Sequence, residues 1–313
     1  MLEFKKFPSL ENTYRTKEVH SVEELGYDKG QYVVTEKVHG ANFSFHIFKA
    51  EDGVVNIKCA KRSGWIEEDE KFFNYKTVLE KYKDSLLSVY DSLDVNTLSI
   101  YGEIYGGNIQ AGMCYCLEQD FVMFDVHVEG VPINKLNLFD KDAEYYGLKP
   151  VPLIGVYPSL QEALDVQEYF TSKLKREDFN GDDKFTETEG IVIEPVTPCW
   201  YPNGSRVYFK KKTKRFLEKG GNKIPKPKEG LPPELEGILL QGFEYITKPR
   251  FEAVVSKIGE VSIKDIGKVM GLMTKDILED MRKDEKLIPD SKRFMKLLQT
   301  QVQTFIRPIL LNL

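Results

Sequence analysis

The sequence predicts an α+β protein, with antiparallel sheets and a few helices in its N-terminal part and a small all-helical part after them. Three observations predict it. Short segments with period-two patterning recur around residues 31–48, 54–61, 97–104, 120–128, 189–194 and 205–211. No strand–helix–strand crossover rhythm links them, which favours antiparallel sheets over a doubly wound one. Beyond residue 230 the apolar spacing becomes that of amphipathic helices.

The elements follow in order. Residues 12–24 read as a short polar helix or loop. Tyr32-Val33-Val34 leads into a Lys-x-His-Gly turn, after which Phe43, Phe45 and Ile47 alternate with Ser44 and His46. Residues 70–91 are helical, with Phe73, Val78, Leu79, Leu86, Leu87 and Tyr90 as apolar positions. Residues 220–230, rich in Gly, Pro and Lys, read as a linker. Pro232-Pro233 opens the first C-terminal helix, where a missing amide does no harm. Ser262 caps a second helix ending near Gly271, and Thr274 caps a third. Asp290 or Ser291 opens the last, with Phe294, Leu297, Leu298, Val302, Phe305 and Ile309 on one face. Two domains are expected, 1–228 and 229–313.

Composition bounds the function. With 41% hydrophobic and 30% charged residues, the chain reads as a soluble globular protein. No apolar run approaches the roughly 20 residues of a membrane span, and the first residues lack a signal-peptide core. Cys59, Cys114, Cys116 and Cys199 are too sparse for a disulfide framework, and Cys114-x-Cys116 lacks a second pair for zinc. An intracellular setting is expected. The net charge of −5 hides an asymmetry, because residues 206–228 carry ten basic residues and one acid, Glu218. Such a strip can meet phosphates while the rest of the molecule stays acidic.

The chemistry concentrates at Glu36-Lys37-Val38-His39-Gly40. A lysine at a strand end beside glycine can approach a phosphate closely, since glycine has no Cβ to clash. Its amine is nucleophilic only when neutral, so it needs a dry pocket or nearby positive charge. Lys210 and Lys212 alternate with Lys211 on a strand and share a face. Lys37 and His39 would share one likewise if the strand continues through them.

These residues recur in a familiar order. Glu36-Lys37-Val38-His39-Gly40-Ala41-Asn42 resembles the nucleotidyl-acceptor motif of covalent nucleotidyltransferases, in the Lys-x-His-Gly form of the phage RNA ligase 2 family. Cys59-Ala60-Lys61-Arg62-Ser63-Gly64, Tyr101-Gly102-Glu103-Ile104-Tyr105-Gly106-Gly107 and Phe121-Val122-Met123-Phe124-Asp125 resemble its next three blocks. Glu189-Gly190-Ile191-Val192-Ile193 and Val207-Tyr208-Phe209-Lys210-Lys211-Lys212 are similar to motifs four and five. Ser256-Lys257-Ile258-Gly259-Glu260 and the stretch from Lys264 to Leu272 resemble the C-terminal domain of the phage double-stranded RNA ligase.

The resemblance implies a nucleotidyltransferase domain of two antiparallel sheets with a nucleotide cleft between them. It implies an ATP-dependent RNA ligase that joins 3′-OH and 5′-phosphate ends, preferably at nicks in duplex RNA or an RNA/DNA hybrid. Lys37 would take AMP from ATP, and Lys210 and Lys212 would sit against the phosphates. Glu103 would accept a ribose hydroxyl, Phe124 would stack on adenine, and Asp125 would support the same pocket. Arg62 and Asn42 would contact the nucleotide, and the backbone at Glu36 and Val38 would read the adenine edge. His39 would orient the phosphate or assist Lys37. Glu189 would organise Mg2+ through water. Oligomeric state stays open, with a monomer as the default; no membrane association and no obligate protein partner are expected, and the setting is the host cytoplasm if the source is viral.

Two positions depart from the pattern. Glu194 stands where the family has lysine or arginine, and Ala41 where threonine is common. If Glu194 faces the phosphates, Glu194→Lys should raise ATP affinity. The alternatives are a DNA ligase or guanylyltransferase relative, against which the His-Gly form and the lack of an OB-like tail argue, and a non-catalytic RNA-binding protein on a decayed ligase fold.

Overall fold

The structure, a computed structural model, describes residues 2–107, 109–110, 113, 115–140, 147–177, 185–220 and 233–313. Cys114, Pro232, the expected linker at 221–230 and the expected boundary at 228 lie outside the described residues. The chain forms two compact units, Met1–Thr213 and Lys214–Leu313.

In the first unit, β1 (Glu11–Asn12), α1 (Thr16–Glu24) and β2 (Tyr32–Lys37) come first. Next are β3 (Ala41–Lys49), β4 (Val55–Lys61), β5 (Gly64–Trp65) and α2 (Tyr75–Ser92). Then follow β6 (Thr97–Gly106), β7 (Gln119–Val128), β8 (Val131–Pro132), β9 (Leu153–Tyr157), α3 (Leu160–Leu164), β10 (Gly190–Pro195) and β11 (Phe209–Lys212). They form two sheets, β1-β11-β10-β2-β9 and β5-β4-β3-β6-β7-β8. All pairings are antiparallel except β1 with β11, where the N-terminal segment runs parallel to the late strand. The short strands β1, β5 and β8 and the glycine-interrupted β9 escape the period-two signal, because too few residues alternate.

Alternation decides what each sheet buries. Phe43, Phe45 and Ile47 of β3 pack with Phe121 of β7 onto Val78, Tyr82 and Leu86 of α2. On the other sheet Tyr32, Val34, Ile191, Ile193 and Phe209 pack onto Val22 of α1 and Leu160 and Ala163 of α3. The two opposite faces meet in smaller clusters. One gathers Phe7, Tyr101 and Tyr208, and the other Val38, Tyr105, Tyr115, Val122 and Val151. Phe124 packs against both.

The second unit holds α4 (Pro233–Phe243), α5 (Lys248–Ile258), α6 (Ile266–Lys283) and α7 (Lys292–Leu311) around a shared apolar core. Thr247 caps α5, its hydroxyl accepting from the Arg250 amide at 3.3 Å. Ser262 forms a capping box with Asp265, and Ser291 rather than Asp290 caps α7. Neither Gly271 nor Thr274 bounds a helix. The buried stripe of Val269, Met273, Ile277 and Met281 carries α6 straight through both, outweighing the roughly 1 kcal/mol that an interior glycine costs. Thr274 instead bonds back to the Met270 carbonyl at 2.8 Å. Arg250, wholly buried, donates to Asp276 (2.6 Å), Asp280 (2.7 Å), the Tyr245 carbonyl (2.9 Å) and the Glu218 carbonyl (3.2 Å). It thereby ties the segment at 214–220 into the helical unit. Among the described residues, no helix is long and apolar enough to cross a membrane.

Candidate active site

Strand register assembles the site. Gly190 pairs with Lys37 on one side and Lys212 on the other, so three adjacent strands bring both lysines level with the start of β10. Glu189, one residue earlier, lies between them. Its Oε1 is 3.0 Å from Lys37 Nζ and 2.8 Å from Lys212 Nζ, and its Oε2 is 3.2 Å from His39 Nδ1. Burial alone would raise the Glu189 carboxyl, but the ammonium groups of Lys212 and Lys37, with the His39 ring, hold it well below the usual carboxylate range. The strands approach this closely because residue 190 is glycine. Its φ is +152°, and a Cβ there would lie 2.1 Å from the Lys211 carbonyl oxygen.

Lys210 shares the Lys212 face of β11 and pairs with Val192 and Asn12. Lys211 points the other way, donating to the carbonyls of Leu164 (3.0 Å) and Val166 (2.9 Å) and lying 3.3 Å from Glu168. The alternation read from the sequence separates the three.

The second sheet supplies Glu103. Asn42 of β3 is its cross-strand partner. Burial pushes its carboxyl up to about 8, against the pull of Lys37 and with a push from Glu189. Gly40 makes its close approach here rather than to an open phosphate site, since a Cβ on it would lie 2.3 Å from the Ile104 carbonyl oxygen. Arg62 lies near enough to Glu103 to favour its charged form. Its guanidinium also binds the N-terminal segment, at 3.4 Å from the Pro8 carbonyl and 3.1 Å from the Ser9 hydroxyl.

Beyond the lysines the neighbouring side chains turn apolar. Val38 is buried among Tyr105, Tyr115, Val122 and Val151. Phe124 lies 4.9 Å from Phe7, centroid to centroid. The Glu36 side chain accepts from the Ser172 hydroxyl and the Lys173 amide (2.9 Å), and its charge reaches Tyr115 and Tyr105. The Glu36 amide is taken by the Pro152 carbonyl at 2.9 Å, so it is not offered to a base.

Glu194 is not aimed at open phosphate space. It is buried, with Lys135 Nζ at 2.5 Å and Arg206 Nη2 at 3.3 Å. Arg206 also pairs with Asp125, which lies 3.3 Å from His127. Asp125 is held down at about 2 despite its burial, by the cations of Lys135 and Arg206 and by His127. The expectation for Glu194→Lys therefore reverses, because the substitution would bury a third cation beside Lys135 and Arg206.

Sequence reading missed several groups. The Tyr115 hydroxyl accepts from the His39 amide (3.2 Å), and Gln110 donates to the Gly40 carbonyl (3.1 Å). Both lie in the loop after β6, where only the cysteines had drawn notice. Lys135 gives no local signal, and Arg206 is legible only as one charge of the basic strip.

The site can hold a hard cation in one way. Among the described residues, no three His, Cys, Asp or Glu side chains converge as a ligand cluster. Glu189, held ionised, lies near enough to Glu103 to push its carboxyl up. One ionised carboxylate, Glu189, with no soft donor beside it, fits a magnesium ion held mainly through its own waters.

Comparison with known proteins then places the chain. Residues 30–212 match the family model described as RNA ligase, and residues 237–307 the one described as T4 RNA ligase 2 C-terminal. The chain belongs to the RNA ligase family. Among curated relatives, mitochondrial RNA-editing ligase 2 of Trypanosoma brucei brucei is 27% identical over 110 residues, covering 33% of this chain and 26% of that protein. Mitochondrial RNA-editing ligase 1 of the same organism is 30% identical over 95 residues, covering 28% and 20%. The match thus spans about a quarter or less of either relative. A Naegleria gruberi RNA ligase solved with PPi superposes with a TM-score of 0.50 at 18% identity, over 69% of this chain and 57% of that one. A lysine-to-alanine variant of it with ATP and Mn gives 0.50 at 19%, over 69% and 58%. At these identities the likeness is one of fold, over 69% of this RNA ligase family member.

Proposed function

We propose that this protein is an ATP-dependent RNA ligase that joins 3′-OH and 5′-phosphate ends at nicks in duplex RNA through a lysyl-AMP intermediate. The observation that carries the reading is the Lys37–Glu189–Lys212 cluster, with Glu103 within its electrostatic reach. Membership of the RNA ligase family supports it.

In the first step Lys37 Nζ attacks the α-phosphorus of ATP, an N–P bond forms and pyrophosphate leaves. Lys37 must shed a proton to do so. Glu189 joins Lys37, Lys212 and His39 in one hydrogen-bonded chain along which protons can be redistributed. Lys212 and Lys210 supply positive charge to the crowded phosphate. Glu103, protonated near neutral pH, can hydrogen-bond a ribose hydroxyl without adding negative charge beside the phosphates. Phe124, packed beside the Val38 cluster, offers a flat aromatic face to adenine. AMP then passes to the RNA 5′-phosphate, and the 3′-hydroxyl displaces it to close the nick. A hydrated Mg2+ held through water by Glu189 would neutralise phosphate charge when bound; the ATP and Mn named with the Naegleria enzyme accord with this.

Incubation with ATP labelled at the α-phosphate tests the reading. The protein should carry a covalent label that Lys37→Ala abolishes, while Lys37→Ala still seals RNA already bearing a 5′-adenylate. A label from GTP in place of ATP would favour the guanylyltransferase alternative. No label from either would favour a non-catalytic RNA binder.

A further inference from the structure

Four charged side chains, Asp125, Lys135, Glu194 and Arg206, are buried together between the two sheets. Asp125 comes from β7 on one sheet and Glu194 from β10 on the other. Lys135 opens a short 3-10 turn (Lys135–Phe139), and Arg206 precedes β11. Two cations face two carboxylates, so the group is neutral. Burying four charges is poor economy for stability alone, since apolar residues of similar volume do as well or better. A more specific use is visible in what Lys135 touches.

The β6–β7 register slips here. Tyr101 pairs with Asp125 but Gly102 pairs with Met123, which leaves Phe124 as the extra residue of a β-bulge. A bulge brings two successive residues toward one face, which explains how Phe124 and Asp125 both reach the space between the sheets. It also takes Phe124 out of the ladder. The Phe124 carbonyl accepts a hydrogen bond from the Lys135 ammonium. The same ammonium donates to the Tyr208 hydroxyl (3.1 Å) and pairs with Glu194 (2.5 Å), while the Lys135 amide donates to the Val196 carbonyl (2.8 Å). Lys135 thus fastens the bulge on one sheet to the end of β10 on the other.

We propose that Lys135, seated on Glu194, is the positioning residue that fixes the Phe124 bulge and so sets the face on which the adenine base stacks. The inference rests on the nucleotide-binding part of the proposed function and deepens it. Lys135 never touches the reacting atoms; it acts through the main chain of Phe124. Glu194 keeps the ammonium in place, which gives the acidic residue a task at a position where a basic one was expected.

The test separates positioning from stability. Lys135→Met alone leaves Glu194 short of a cation and can unfold the protein. The double variant Lys135→Met/Glu194→Met removes one charge of each sign, keeps Asp125 paired with Arg206, and should retain the wild-type unfolding midpoint. Dissociation constants for AMP and GMP are measured by calorimetry on wild type and double variant, an assay that needs no chemistry. Loss of an aligned stacking surface should weaken AMP about tenfold and shrink its preference over GMP by a similar factor. A folded double variant with wild-type AMP affinity and base preference overturns the proposal, as does a wild type that fails to prefer AMP. An absent lysyl-AMP adduct together with intact AMP preference would instead count against the ligase reading alone.

Discussion

Glu103 illustrates how a single residue couples the site to pH. The unfolded chain loses this proton near 4.5, whereas the folded protein keeps it to about 8. Across that window the folded state binds more protons, so stability falls as pH rises from about 5 to about 8. Urea unfolding at several pH values should show the midpoint falling over this range, and Glu103→Gln should flatten the fall. An identical pH profile in the variant would mean that Glu103 ionises normally. Residues of this kind were legible because each stands in a short local pattern: Lys37 before His-Gly, Glu103 in Tyr-Gly-Glu, Glu189 before Gly190, Lys212 in a run of three lysines. Lys135 and Tyr115 were not. Their meaning depends on partners far away in the chain, Glu194 for one and the His39 amide for the other.

At the scale of elements, the site depends on how closely β2, β10 and β11 can lie. Gly190 sets that spacing. Alanine there would bring a Cβ against the backbone of Lys211 and Lys212, which cannot move aside as a flexible side chain can. Gly190→Ala should destabilise the protein by about 1–3 kcal/mol. It should also depress lysyl-AMP formation out of proportion, because Glu189 and Lys212 shift together. Adduct formation at the wild-type rate in a folded Gly190→Ala protein would show that the register tolerates the strain. The long alternating strands and the last helix were legible from periodicity. Helix α5 was not, since its start rests on Thr247 and its proline-containing first turn rather than on a long apolar stripe. Nor was the continuity of α6, where tertiary burial overrides a glycine.

For the whole molecule, the lysines and carboxylates of the proposed first step all lie in Met1–Thr213, while Lys214–Leu313 is a separate helical unit with its own core. A fragment of residues 1–220 should therefore still label with AMP. It should lose transfer of AMP to nicked RNA by orders of magnitude if the helical unit, with Lys257, Lys264, Lys268 and Lys275, grips the duplex. The gap between fragment and full-length protein should narrow as salt rises, because the more phosphate contacts a protein makes, the more steeply salt weakens it. A labelled fragment that seals nicks at the full-length rate would assign the helical unit another task.

The two sheets also differ in when they can be built. One draws all its strands from β3 to β8, a continuous stretch of chain, whereas the other joins β1 and β2 to β9, β10 and β11. His39 and Glu189 are 150 residues apart. At roughly 5–20 residues per second, a ribosome needs on the order of 10–30 s to travel that distance. The first sheet can pair while the chain is still emerging; the second has to wait for its last strands, since its contacts are non-local. A nascent chain that has not reached residue 189 carries Lys37, the proposed nucleophile, without Glu189, Lys210 or Lys212. On the proposed chemistry, synthesis order itself would keep Lys37 silent until the N-terminal unit is nearly complete.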